Sequence, residues 1–213
     1  MDKIQSYNAT DATEKVIGKY IEDFIQNNSA AKFLAVELNR IGIGFRPIAD
    51  HITVRTKDVL KRAEEFLKLG FAWDHEVGNK GLIGFDDWWA RVLRKPGFPA
   101  IFIDQAYEGD RGKTSVIPPW VDRFGDKILH HVAVTVDDID IAIAQLKKCG
   151  IHCSGEIVGD RGSDLRQIFT EAEVRDGKPF TVLELAERHH GYAGFLPPQA
   201  AGLMKSSIKM KKP

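Results

Sequence analysis

Cysteine is scarce in this chain of 213 residues: only Cys149 and Cys153, set in the run CGIHC. That spacing is not a redox CxxC, and two thiols cannot build a four-thiolate zinc site. With His152 between them, they read as two small residues where a helix ends and a strand begins. An excess of charge is also missing. Thirty basic residues balance thirty acidic ones, so no electrostatic argument supports nucleic acid or an anionic membrane surface as partner. No apolar run approaches the roughly 20 residues that span a bilayer. The opening MDKIQSYNATD has no signal-peptide core, which sets a cytoplasmic expectation. No low-complexity linker divides the chain, so one compact unit is expected. The only basic run, SSIKMKKP at the end, reads as a solvated terminus.

What is present is a repeat. HITVRTKDVLKRAEEFLKLGF, from His51, lies over HVAVTVDDIDIAIAQLKKCGI, from His131, at an offset of 80 residues without a gap. His51 meets His131, Asp58 meets Asp138 and Gly70 meets Gly150; further on, Glu76 meets Glu156 and Asp104 meets Glu184. Such internal similarity signals a duplicated structural unit.

Each copy opens with an alternating strand (HITVRT; HHVAVTV). A helix follows, with Asp58 or Asp138 near its N-terminus and Gly70 or Gly150 at its end. Three strand-like runs complete it: FAWDHEV, WWARVLR and PAIFIDQ in the first copy; IHCSGEIV, LRQIFTEAEV and FTVLELAE in the second. The reading is α+β: two tandem βαβββ modules, 47–126 and 127–196, forming an open barrel-like mixed sheet. A helical segment (1–46), amphipathic in IGKYIEDFI and AAKFLAVELNRIG, precedes them, and a C-terminal helix or tail (197–213) follows.

Strand parity selects candidate ligands, because successive side chains point to opposite faces. His51, Thr53 and Arg55 share one face of the first strand, and His131, Ala133 and Thr135 share the corresponding face of the second. His130 falls with Val132 and Val134, so parity sends it away from the site. In the last strands Glu184 opposes Leu183 and Leu185, and Asp104 opposes Ile101 and Ile103. The polar face then holds His51, His131, Glu184 and, as fourth ligand or base, Asp104. Two imidazoles with one carboxylate describe an open Fe(II) triad, whereas a second carboxylate gives a more closed site suited to Lewis-acid work. Arg55, on the same face as His51 and about 13 Å along the strand, is a candidate to receive a substrate carboxylate. Trp88 and Trp89 read as sheet packing.

With these residues in view, positions 47–195 resemble the vicinal oxygen chelate (glyoxalase/bleomycin-resistance) superfamily. LHHVAVTVDDID, LRQIFTEAE and TVLELAERHHGYAGF are similar to the C-terminal half of the 4-hydroxyphenylpyruvate dioxygenase family. That resemblance implies iron ligation by His131 and Glu184, a substrate pocket lined by Gln167 with Phe169 beside it, and a C-terminal helix closing the pocket. ADHITVRT resembles a segment of the 2-oxoadipate dioxygenase/decarboxylase relatives, which implies His51 as a ligand and Arg55 as the holder of the substrate's far carboxylate. The expectation is an Fe(II)-dependent dioxygenase consuming a 2-oxo acid and O2, with a homodimer compatible. The alternative is a glyoxalase- or epimerase-like lyase or isomerase using Zn, Co, Ni or Mn, and a third reading is a small-molecule-binding module.

Overall fold

A computed structural model describes residues 2–208, and the last residues of the Lys-rich tail lie outside the described residues. Helices α1 (Asp2–Gln26) and α2 (Ser29–Arg40) form the N-terminal segment. The side chain of Asn28 ends the break between them by accepting from the Ala31 N–H, which caps α2. The first module runs β1 (Ala49–Arg55), α3 (Val59–Lys68), β2 (Ala72–Trp73), β3 (Leu82–Gly84), β4 (Trp88–Arg94) and β5 (Ala100–Ala106). Helix α4 (Ile117–Phe124) links it to the second. There β6 (Leu129–Thr135), α5 (Ile139–Lys148), β7 (Cys153–Val158) and β8 (Leu165–Thr170) precede a short hairpin, β9 (Val174–Arg175) with β10 (Lys178–Pro179). β11 (Val182–Arg188) and α6 (Pro197–Ser206) complete the described chain.

Among the described residues nine strands make an open, mixed sheet in the order β2-β4-β5-β1-β6-β11-β8-β7, with β3 paired to β4, and β9 and β10 form a separate pair. Each module contributes one half. β1 runs parallel to β5, β6 runs parallel to β11, and β1 and β6 meet antiparallel at the centre. The expected duplicated α+β architecture is therefore present.

One face of the sheet is apolar because the branched residues alternate onto it. Ile52, Val54, Ile101, Ile103, Val132, Val134, Leu183 and Leu185 pack there against α1, α2, α3 and α5, with Phe24, Phe66 and Leu146 among their helical partners. Both module helices begin at the predicted cap: Asp58 accepts from Lys61 N–H and Asp138 from Ile141 N–H. The opposite face holds the polar residues and is covered in part by α6, whose Leu203 packs on Phe169 and Val182. No described helix is long and apolar enough to cross a membrane.

Three local expectations change. The strand expected across FAWDHEV pairs only at Ala72–Trp73, because the chain then turns through Gly78 and Gly81, both at positive φ. A Cβ at Gly81 would lie 2.3 Å from the Val92 carbonyl oxygen, so the turn requires glycine. The strand expected across LRQIFTEAEV stops at Thr170, where the β9–β10 hairpin takes over. Helix α4, in the sequence IPPWVDRF, was not expected; its start carries proline in the first turn, where no backbone donor is required.

Candidate metal centre

The middle of the sheet brings three side chains to one point. Ala133 of β6 lies opposite His51 in β1 and beside Glu184 in β11, and Thr53 lies opposite His131. Glu184 Oε2 is 3.3 Å from His51 Nε2 and 3.3 Å from His131 Nε2. One ligand atom from each of the three residues lies within 4.8 Å of the others; the side chains of His51 and Glu184 are buried and that of His131 nearly so. Two imidazole nitrogens and a carboxylate oxygen, converging where water is scarce, fit a divalent transition metal.

Each of the three is held by a neighbour. Asp50 Oδ1 is 2.7 Å from His51 Nδ1, and Arg188 clamps Asp50 through two donors, Nε to Oδ2 at 2.6 Å and Nη2 to Oδ1 at 2.8 Å. The Gln167 amide donates to Glu184 Oε1. His131 has Thr53 Oγ1 at 2.8 Å from Nε2 and His130 Nδ1 at 2.9 Å from Nδ1.

That last contact corrects the parity argument, which turned His130 away from the site. The β1–β6 ladder pairs Thr53 with His131 and Val54 with Leu129, leaving His130 as the extra residue of a bulge. The bulge breaks the alternation, and His130 lines the same cavity as His131.

Asp104 is on the cavity face, but its alignment with Glu184 changes. The offset of 80 aligns it with Glu184, but the strand pairing does not. Glu184 lies beside Ala133, two residues after His131; the first-module residue beside Thr53, two after His51, is Phe102. Asp104 pairs with Arg55, one pleat period further on. It therefore lines the cavity without joining the ligand cluster, and Phe102 fills the position corresponding to Glu184, its ring centroid 5.0 Å from that of His51.

Five Phe and Trp rings form part of the cavity wall. Phe85 and Trp88 stack with centroids 3.7 Å apart, Phe102 meets Phe195 edge-on at 4.3 Å, and Phe169 lies 5.1 Å from His131. Leu203 and Met204 of α6 close it from above. Gln167 and Phe169 line the cavity. Arg55 does not. It is buried beside the cavity, with its guanidinium 5.5 Å from the Trp120 ring and a hydrogen bond to the Met204 sulfur.

Charge is divided unevenly across the three histidines. Burial pushes His51 down, but Glu184 and Asp50 outweigh it and raise its pKa to about 9. Burial, joined by the charges of His51 and Arg55, holds His131 well below the ordinary range; burial, Arg55 and His131 do the same to His130. Burial also raises Asp104 to about 7 against the opposing pull of Arg55, and its Oδ1 has no hydrogen-bond partner.

Sequence reasoning missed Asp50, His130, Arg188 as a clamp, and the ring of Phe195. The signal for the first two was present: they stand 80 apart and directly precede the paired histidines.

No family model matches the chain, and no curated protein matches it. Solved structures do. A Shewanella frigidimarina protein, provisionally named a hydrolase, is 19% identical over 86% of this chain and 97% of its own, with a TM-score of 0.70. The 4-hydroxymandelate synthase of Streptomyces coelicolor, as a triply substituted mutant, is 16% identical over 78% of this chain and 55% of its own, at 0.57. Methylmalonyl-CoA epimerase from Mycobacterium tuberculosis is 20% identical over 73% of this chain and 93% of its own, at 0.51. Together with the duplicated open sheet, these likenesses show the vicinal oxygen chelate fold.

Proposed function

We propose that the chain is an Fe(II)-dependent dioxygenase that acts on a 2-oxo acid with loss of CO2. The observation that carries this is the ligand count. His51, His131 and Glu184 converge, while the corresponding first-module position holds Phe102, so three protein ligands leave coordination positions open. Bound there, the ion would supply adjacent open positions for chelation of the substrate's carboxylate and keto oxygen and for O2.

The chain's own work is orientation and exclusion of water. Gln167 and Asp50 hold Glu184 and His51 in place. Phe85, Trp88, Phe102, Phe169 and Phe195 exclude solvent and suit a substrate with a flat apolar body. Arg55 does not touch the cavity contents; burial chiefly keeps His130 and His131 neutral, and the Arg55 charge adds to it. The fold shared with a 4-hydroxymandelate synthase is consistent with this reading.

A second reading has its own observation. Asp104 is a buried carboxyl on the cavity wall, raised to about 7, with one oxygen unpartnered. Such a group could move a proton for an isomerase or lyase in which the ion polarises a carbonyl. Oxygen uptake separates the two. Protein loaded anaerobically with Fe(II) is exposed to aromatic and dicarboxylic 2-oxo acids, beside a His131→Ala control. Uptake with matching CO2 release, lost in the control, is the expected result. No uptake with any acid, by protein that still holds its ion, would favour Asp104 and proton-transfer chemistry.

A further inference from the structure

Both ligating histidines follow a residue that the central ladder leaves out. The β1–β6 pairing passes from Ala49 to His51 on one strand, skipping Asp50, and from His131 to Leu129 on the other, skipping His130. A bulged residue loses the two-residue alternation and is re-aimed. In both cases the new direction is toward the following imidazole: Asp50 Oδ1 reaches His51 Nδ1 at 2.7 Å, and His130 Nδ1 reaches His131 Nδ1 at 2.9 Å.

We propose that Asp50 and His130 are equivalent positioning residues, duplicated with the module, that hold His51 and His131 as Nε2 donors to the metal. The inference rests on the metal-centre reading above. An imidazole that ligates through Nε2 carries its proton on Nδ1, so an acceptor at Nδ1 fixes both tautomer and ring angle. Asp50, clamped by Arg188, supplies an anionic acceptor. His130 supplies a neutral one, which requires its own proton to sit on Nε2. Thr53 supports the same tautomer, since its hydroxyl lies 2.8 Å from His131 Nε2 and can donate to the lone pair that a metal would take. The two histidines are therefore unequal ligands, with His51 made the stronger donor by a charge that His131 lacks.

Co(II) serves as the probe, with affinity read by chelator competition and coordination by the visible absorption band. His130→Phe and Asp50→Leu should each lose about 10- to 100-fold in affinity and shift the band. His130→Asn, which keeps an acceptor, should stay within about threefold of the parent. Both apolar variants binding within about twofold of the parent, with an unchanged band, would overturn the positioning role while leaving the metal centre intact. A parent protein that does not bind Co(II) tightly overturns the metal centre and this inference with it. If His130→Phe does not fold, His130→Asp takes its place. That variant gives the second module the first module's acceptor and should match or exceed the parent, whereas a loss of about tenfold or more would overturn the proposal.

Discussion

His51 is the residue on which the ordinary and metal-bound states disagree most. Without a metal it is protonated near neutrality, held between Glu184 and Asp50 with its pKa raised to about 9. A folded-state pKa above the unfolded value of about 6.5 gives stability that is complete below 6.5 and is lost as pH rises through 9. His130 and His131, held low, are already neutral in both states across that window. Asp104, raised to about 7, sheds its own contribution earlier, between about 4 and 7. Denaturant melts of metal-free protein should therefore show stability falling between about pH 6.5 and 9, by an amount on the order of 3 kcal/mol at most. His51→Gln should flatten that slope. A divalent ion must displace the same proton, so metal affinity should rise over the same interval. Parity along single strands revealed His51, His131 and Glu184 because their faces follow from local alternation. It failed at His130, and the offset of 80 misaligned Asp104 with Glu184, because a bulge and a shift of register are properties of pairing between strands, which no single strand displays.

At the scale of elements, the duplication was the legible feature. Strand, capped helix and glycine stop recur at one offset, and both module helices begin where Asp58 and Asp138 predict. Replacing Asp138 by Ala leaves the Ile141 N–H without its side-chain partner and should cost about 1 kcal/mol, read as a lower denaturant midpoint with unchanged metal content. A midpoint unchanged from the parent would mean that the α5 end is held by Glu187 alone, which accepts from the Ile139 N–H at 2.6 Å. The connections between strands were less legible. Gly78 and Gly81 follow β2 with left-handed turns, and α4 forms after the last strand of the first module, where the strand and helix patterns of the sequence marked no helix. In each place tertiary packing decides what local alternation leaves open.

Across the whole molecule, the sheet divides its labour by face. Branched residues on one side bury the helices, and polar residues on the other collect at the junction of the two modules, beneath α6. The central claim is that this junction is a metal centre made of one residue from the first module and two from the second. The most direct measurement is metal content after loading with a divalent ion and exhaustive buffer exchange, for the parent and for Glu184→Ala. The account predicts close to one ion per chain in the parent and none retained in the variant. An equal content in both would contradict it.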